Sequence, residues 1–161
     1  MSVRLRPLHE DEYAAFETES MRQYADDLHQ NGGLDRDQAE AKAQADFASL
    51  LPDGLATAGH TITAVERIED GERVGRLWFA ARDSNGRTVA YLYDIEIDEA
   101  WRGQGLGRAT MRELEREALR QGYDVLELNV FGGNAPARAL YRSLGFAETA
   151  VSMKKPLRDH S

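Results

Sequence analysis

Residues 102–109 read "RGQGLGRA", with glycine at every second position from 103 to 107 and an arginine on either side of the glycines. Glycine at this density disfavours both helix and strand, because it loses more conformational freedom on folding than any other residue. The run nevertheless lies between a strand-like stretch, "TVAYLYDIEI" (88–97), and a helix-like one at 105–121. The first N–H groups of a helix carry partial positive charge, and bare glycines let a ligand approach them. The segment therefore predicts a turn that binds phosphate or pyrophosphate.

The spacing of this turn excludes two familiar phosphate loops. A Walker loop ends in Gly-Lys-Ser/Thr, whereas Gly107 is followed here by Arg108 and Ala109. The dinucleotide fingerprint needs its third glycine at the position that Arg108 occupies. A turn that only connects a strand to a helix is the alternative, but it would account for one glycine rather than three between arginines.

The segments around the turn predict an α+β fold. Apolar patterns typical of strands occur at 3–7, 60–68, 73–81, 88–97, 124–131 and 146–155. Helical spacing of apolar residues occurs at 10–30, 105–121 and 134–145, and between a predicted capping box at Asp35 and Gln38 and the break at Pro52. Polar turns such as "DSNGR" (83–87) separate consecutive strands, as in hairpins. We therefore expect a mixed, mostly antiparallel sheet of about six to seven strands with helices on both faces.

Two motifs in the second half of the chain carry a family resemblance. Arg102, Gly105 and Gly107 match the signature Arg/Gln-x-x-Gly-x-Gly/Ala, and "NAPARALYRSLGF" (134–146) matches Asn-x-x-Ala-x-x-x-Tyr-x-x-x-Gly-Phe. In this order they make the sequence similar to the GNAT superfamily of acyl-CoA-dependent N-acetyltransferases, although many relatives carry proline where this chain has Glu99. The resemblance implies one GNAT domain over residues 1–161, whose last residues (154–161) we expect to form a loose polar tail.

The resemblance implies acetyl-CoA as the acyl donor, bound where two central strands splay apart. Backbone N–H groups of the turn would hold its pyrophosphate; the residues concerned are Arg102, Gly103, Gln104, Gly105, Leu106, Gly107 and Arg108. The backbone of Ile97 would pair with the pantetheine arm as an added strand does, opposite Asn129 on the next strand. Asn134 would contact the pantetheine or cap its own helix.

The acceptor amine sets the chemical demands on the site. An alkyl amine has a pKa of about 10, so the site needs a route for its proton, a polarised carbonyl and an acid for the leaving thiolate. The resemblance implies that the Ile97 N–H polarises the carbonyl and that Tyr141 is the acid, with a tyrosine that only packs in the core as the alternative. Alternation along the strand puts Leu92, Asp94 and Glu96 on one face, beneath a helix. A buried carboxylate without a partner has a raised pKa, which suits a base, and Glu96 is the candidate; pairing of Asp94 and Glu96 with arginines is the alternative.

The net charge of −8 is concentrated near the N-terminus. Between His9 and Asp46 there are eleven acids and three bases, whereas the rest of the chain has seventeen of each. This balance argues against a nucleic-acid partner and favours a cationic acceptor, such as a polyamine, an aminoglycoside, a peptide N-terminus or a lysine side chain. Tyr24, Asp94 and Phe131 are candidates to line its pocket, and a solvated helix face is the alternative explanation of the acidic residues.

Several function classes are disfavoured by what the sequence lacks. The chain has no cysteine, which excludes disulfides, thiolate metal sites and a cysteine nucleophile. Its four histidines, at 9, 29, 60 and 160, are scattered, so no metal is expected. The absence of a long apolar run or a signal-peptide pattern favours a cytoplasmic protein without a membrane partner. The resemblance leaves a homodimer open, because many relatives dimerise, and a CoA-binding regulatory module without turnover is the alternative function.

Overall fold

A five-stranded mixed sheet organises residues 2–158, the part of the chain that this computed structural model describes. Its strands lie in the order β1 (Val3–Pro7), β2 (His60–Arg67), β3 (Arg73–Ser84), β4 (Arg87–Ile97) and β5 (Leu126–Leu128). The first four pair antiparallel, and β5 joins β4 in parallel. The mostly antiparallel α+β architecture is confirmed, with five strands among these residues rather than six to seven.

Helices cover both faces of the sheet. They are α1 (Tyr13–Gln30), which follows a 3-10 turn at Glu10–Glu12, α2 (Arg36–Leu50), α3 (Leu106–Arg120) and α4 (Ala135–Ser143). The predicted capping box is confirmed, because the Asp35 carboxylate accepts from the Gln38 N–H at 2.8 Å and the Gln38 side chain accepts from the Asp35 N–H at 3.2 Å. Among the helices of residues 2–158, none has the length and apolarity that crossing a bilayer requires.

Alternation along β3 builds two apolar layers. Leu77 and Phe79 point to one face, where they pack with Leu114 and other residues of α3. Trp78 points to the opposite face and packs with Phe16 of α1 and aromatic and aliphatic neighbours from α2 and β2. Burial of each such side chain contributes about 1.5–3 kcal/mol, so the two layers fix the helices on either side of the central strands.

A β-bulge at Tyr93 interrupts the alternation of β4. Trp78 pairs with Asp94 and the next residue of β3 pairs with Leu92, so Tyr93 has no opposite partner. Tyr93 packs in the α1–α2 layer and Asp94 bonds to α1, whereas Leu92 and Ile95 pack in the α3 layer. The prediction that Leu92 shares a face with Asp94 and Glu96 is therefore wrong, because the extra residue reverses the alternation.

The central strands β4 and β5 separate after a short paired stretch. Residues 90–92 pair with 126–128, and from there to Ile97 β4 is paired only with β3, so its other edge is free. The predicted splay is thus present. The predicted strand at 124–131 is shorter than expected, because its partner turns away at the bulge and leaves residues 129–131 without a ladder.

The predicted C-terminal strand at 146–155 is wrong. No strand is present between 146 and 158, and side chains there such as Val151 and Met153 are exposed. Its alternating pattern suits a strand, but a strand also needs a neighbouring backbone to pair with, and β5 is only three residues long. Residues 159–161 of the expected polar tail, including His160, lie outside the described residues.

Candidate active site

The glycine-rich segment forms an open turn at the start of α3. Gly103 and Gly105 have φ values of +77° and +79°, in the left-handed region that favours glycine, and a Cβ on either would meet no atom within 4 Å. Gly105 is the N-cap of α3, and the Ala109 N–H donates to its carbonyl at 3.1 Å. The N–H groups of residues 106–108 precede this bond and have no acceptor within the helix. The turn therefore presents unpaired donors beside empty space, as an anion site requires.

The two arginines of the turn have partners within the protein. Arg102 points back to β4, where its Nε donates to the Ile97 carbonyl at 2.9 Å and its guanidinium forms an ion pair with Glu96. The Arg108 Nη2 donates to the Ser143 hydroxyl at 2.8 Å and so connects the start of α3 to the end of α4. Both charges stay beside the turn, and Gln104 between them is exposed.

The free edge of β4 offers backbone donors next to this turn. The Ala90 N–H donates towards β5 at 3.0 Å, and the Asp98 N–H donates to β3 at 2.8 Å. Ala90 and Asp98 are eight residues apart. In a regular strand the N–H groups point alternately to the two edges, so both of these would point to the same edge. The bulge at Tyr93 reverses the alternation, so the N–H groups of Ile95 and Ile97 point to the open side, where the pairing with β5 has ended.

Tyr141 reaches the same region from α4. Its ring packs edge-to-face on Phe146, with centroids 5.6 Å apart, and against the α3 layer of the core. Burial, with a further contribution from the negative charge of Asp94, raises the pKa of Tyr141. Within residues 2–158 its hydroxyl has no hydrogen-bond partner. The phenol therefore keeps its proton at neutral pH and has it available for donation.

Both acids of β4 have basic partners. The Asp94 carboxylate accepts from the Nε of the buried Arg76 at 2.7 Å. The Glu96 carboxylate accepts from the Gln23 side chain at 2.6 Å and pairs with Arg102. Of the two alternatives that the sequence left open, pairing with arginines is the one observed. The sequence analysis did not predict that Arg76 and Gln23 contact these acids. An arginine inside the apolar strand "RVGRLWFAA" (73–81) could have indicated it, because a buried charge needs a partner.

The two predicted pocket aromatics pack on the same apolar cluster between α1 and α2. The Tyr24 hydroxyl donates to Asp46 at 2.7 Å, and burial together with this bond raises the pKa of Tyr24. Tyr24 and Phe131 both pack on a small apolar cluster between α1 and α2, made of Ala25, Leu28, Ala39 and Ala43. Phe131 lies just after β5, so its packing on this cluster brings the chain beyond β5 into contact with the α1–α2 pair.

The two predicted asparagines lie in the chain that follows β5. Asn134 caps α4, because its side-chain oxygen accepts from the Ala137 N–H at 3.2 Å, which is the capping alternative of the sequence analysis. Asn129 is exposed just beyond β5, in a shallow polar groove where the Arg82 guanidinium lies 4.2 Å from the centre of the Tyr91 ring.

One group of potential metal ligands occurs in the described part of the chain. His9, Asp11 and Glu12 bring ligand atoms within 4.8 Å of one another. The Glu12 carboxylate already accepts from Arg6 at 2.9 and 3.0 Å and from Arg73 at 3.1 Å, and the Arg6 guanidinium lowers the pKa of Glu12 to about 2. Two guanidinium groups oppose a cation there, so the group is better described as a salt-bridge network.

Comparison with known proteins identifies the family. The model of the acetyltransferase (GNAT) family matches residues 5–146. YycN of Bacillus subtilis, named an uncharacterized N-acetyltransferase, is 31% identical over 157 residues, which are 98% of this chain and 100% of YycN. The chain belongs to the GNAT family of acetyltransferases. The crystal structure of YycN matches this GNAT structure with a TM-score of 0.91, over 98% of this chain and 100% of that one.

Two further relatives show how widely the GNAT fold is used. The [ribosomal protein bS18]-alanine N-acetyltransferase of Escherichia coli K12 is 44% identical over 62 residues, 38% of this chain and 42% of that protein. The acetyltransferase AAC(6')-Iy, solved in complex with the bisubstrate analogue CoA-S-monomethyl-acetylneamine, shares the fold with a TM-score of 0.62 and 16% identity, over 99% of this chain and 100% of that one. The family model and YycN confirm the predicted family, fold class and enzyme class: the protein is an acyl-CoA-dependent acetyltransferase.

Proposed function

We propose that this GNAT protein transfers the acetyl group of acetyl-CoA to a cationic primary amine, by direct attack while both substrates are bound. The observation that carries the proposal is that one gap in the sheet has the free β4 edge on one side, the glycine turn at one end and Tyr141 nearby. A donor with an anionic pyrophosphate and an extended arm fits these three features together. The acidic N-terminal helices on the other side favour an acceptor with positive charge.

The donor side of the proposal rests on backbone groups. The unpaired N–H groups at the start of α3 and the open space at Gly103 and Gly105 suit a pyrophosphate. Arg102 and Arg108 add positive charge beside it. The Ile97 N–H on the open edge of β4 suits the pantetheine or the thioester carbonyl. Asn129, which is exposed just beyond β5, is proposed to contact the pantetheine, and Asn134 to do so through its side-chain NH2, because its side-chain oxygen caps α4. These roles rest on the family resemblance.

Two side chains are proposed to move protons. The neutral amine attacks the thioester carbon, the C–N bond forms and the C–S bond breaks. Tyr141, whose raised pKa keeps it protonated, donates a proton to the leaving thiolate and is reprotonated from the nitrogen. Glu96 is the proposed base that takes the first proton from the acceptor through water. Because Glu96 is paired with Arg102 and bound by Gln23 of α1, this role rests on its position on the α1 side of β4 and not on an unpartnered carboxylate.

The proposal is tested by release of free thiol from acetyl-CoA across a panel of amines. The protein has no cysteine, so a thiol reagent reports on CoA alone. Turnover with a cationic class of amine is the expected result. Absence of thiol release with every amine, combined with an increase of the melting temperature by acetyl-CoA, would contradict a small amine as acceptor and leave a specific protein acceptor or the CoA-binding regulatory module.

The donor site has its own test in a charge reversal. Arg108→Glu is expected to weaken acetyl-CoA binding by about ten-fold or more, since it puts a negative charge beside the pyrophosphate. Arg116→Glu, which reverses an exposed charge further along the same helix, is the matched control and should leave the affinity unchanged. Equal affinities of the two variants by calorimetry would remove Arg108 from the site.

A further inference from the structure

Asp27 of α1 is a half-buried acid whose carboxylate has no partner among the residues that the structure describes, unlike Asp26, Asp46 and the two acids of β4. Asp94 and Glu96 are held by arginines, Asp26 pairs with Arg36 at 2.6 Å, and Asp46 is bound by the Tyr24 hydroxyl and a lysine. Within residues 2–158, Asp27 makes neither a side-chain hydrogen bond nor an ion pair, although it is half-buried. A half-buried carboxylate in this position has lost part of its hydration without gaining a countercharge.

The course of α1 carries Asp27 across the gap between β4 and the chain after β5. At one end, Gln23 donates to Glu96 of β4 at 2.6 Å. At the other, the side-chain oxygen of Asn31 lies 2.9 Å from where a Cβ of Gly133 would be, in the loop after β5. These two contacts are eight residues apart, about 12 Å of helix, whereas paired strands are about 4.8 Å apart. Asp27 is one helical turn from each contact, and so lies over the open part of the sheet.

The charges that act on Asp27 are negative. Burial, and then the charges of Asp26, Glu96 and Asp94, raise the pKa of Asp27. A cation bound beside Asp27 would relieve this repulsion and replace the lost hydration. The attacking amine itself must be neutral when it reacts, so a lasting ion pair with Asp27 calls for a different positive group of the acceptor.

We infer that Asp27 binds a second ammonium group of the acceptor while a first, neutral amine of the same molecule attacks the thioester. The inference rests on the proposed function and narrows its acceptor to a molecule with two amines a few bonds apart. In this role Asp27 determines specificity and takes no part in proton transfer, so the donor half of the reaction does not involve it.

The test is a matched pair of acceptors combined with a matched pair of variants. Thiol release is measured with 1,4-diaminobutane and with 1-aminobutane, which differs by one ammonium group, and a diamino sugar serves as a second dication. The wild-type protein is expected to prefer the diamines by about ten-fold or more in kcat/KM, mainly through KM. Asp27→Asn should reduce this preference to about two-fold or less and leave the KM for acetyl-CoA unchanged. Asp26→Asn, with the same charge change one residue away, should keep the preference.

A binding measurement separates failure of this inference from failure of the proposed function. Calorimetry of 1,4-diaminobutane in the presence of CoA needs no turnover, and Asp27→Asn should weaken the affinity by about ten-fold or more where Asp26→Asn does not. Binding that depends on Asp27 without thiol release from any amine would support the inference and contradict the transferase function. Equal diamine preference and equal affinity in wild type and Asp27→Asn, or no binding of either dication by the wild type, would overturn the inference.

Discussion

Gly75 of β3 gives the sharpest structural prediction because the backbone of the neighbouring strand, β4, lies very close to it. It lies opposite Ile97, and a Cβ at position 75 would be 2.2 Å from the Glu96 carbonyl oxygen and 3.2 Å from the Ile97 Cα. Since Cβ atoms in proteins do not approach other atoms closer than 3.0 Å, Gly75→Ala must displace β4 by about 0.8 Å. The contact is with backbone, so no side-chain rotation can relieve it.

The size of the effect follows from this displacement. Overpacking of this kind costs about 1–3 kcal/mol, and about 2 kcal/mol lowers the melting temperature of a protein of this length by about 4–8 °C. The displaced backbone is also the proposed donor edge at Ile97, and a misplacement of about 1 Å can lower turnover by about 100-fold. We therefore expect Gly75→Ala to lose stability and to lose more than ten-fold in the rate of thiol release.

Thermal unfolding and thiol release check the two effects side by side. Gly132→Ala is the matched control for stability, because a Cβ at position 132 meets no atom within 4 Å and Gly132 has an ordinary φ. It should melt within about 1 °C of the wild type. If Gly75→Ala also melts at the wild-type temperature and retains wild-type turnover, the close approach of β3 and β4 is not as described, and the reasoning from it fails.

Two further predictions concern stability alone. Leu114→Ala leaves a cavity at a fully buried position in the α3 layer and should lower the free energy of unfolding in urea by about 2–5 kcal/mol. Leu119→Ala in the same helix removes a side chain that is 66% exposed and should lower it by less than about 0.5 kcal/mol. Equal losses would contradict the assignment of the core. The Arg6 guanidinium lowers the pKa of Glu12 from 4.5 to about 2, so Glu12 stabilises the folded protein fully above pH 4.5, and this contribution disappears as the pH falls from 4.5 towards 2. Glu12→Gln should make stability less dependent on pH in that interval, with the exposed Glu10→Gln as control, and an unchanged slope would show that the ion pair with Arg6 does not persist in solution.

The glycine turn and the elements around it could be predicted because their signals are local. The alternating glycines at the start of α3, the capping box at Asp35 and the cap at Asn134 each depend on residues within a few positions of one another. The motifs at 102–107 and 134–146 then predicted the family, which the comparisons confirm.

The bulge at Tyr93 had no sequence signal. The stretch "YLYDIEI" (91–97) reads as a regular alternation, and only the pairing with β3 reveals the extra residue. The bulge matters for the candidate site, because the pairing with β5 ends there and the Ile95 and Ile97 N–H groups turn to the open side. A bulge that depends on the pairing of two strands cannot be detected from a short stretch of one of them.

The sequence also does not predict which residues pair with a buried charge. A buried charge at Arg76 is detectable in the sequence, but its partners Asp94 and Gln23 come from a strand and a helix far along the chain. The C-terminal segment shows the converse case. Its alternating pattern is compatible with a strand, yet whether it pairs depends on a neighbouring edge that the pattern does not describe.

The free β4 edge, the glycine turn and Tyr141 are proposed to form one acetyl-transfer site. The most direct test is thiol release by Tyr141→Phe with the best amine of the panel, together with its affinity for acetyl-CoA. Tyr123→Phe is the control, since Tyr123 is also half-buried against the α3 layer but lies beyond the far end of α3. We expect kcat to fall by about 100-fold or more in Tyr141→Phe, with unchanged affinity for acetyl-CoA, and to stay at the wild-type value in Tyr123→Phe. Wild-type turnover by Tyr141→Phe would contradict this proposal.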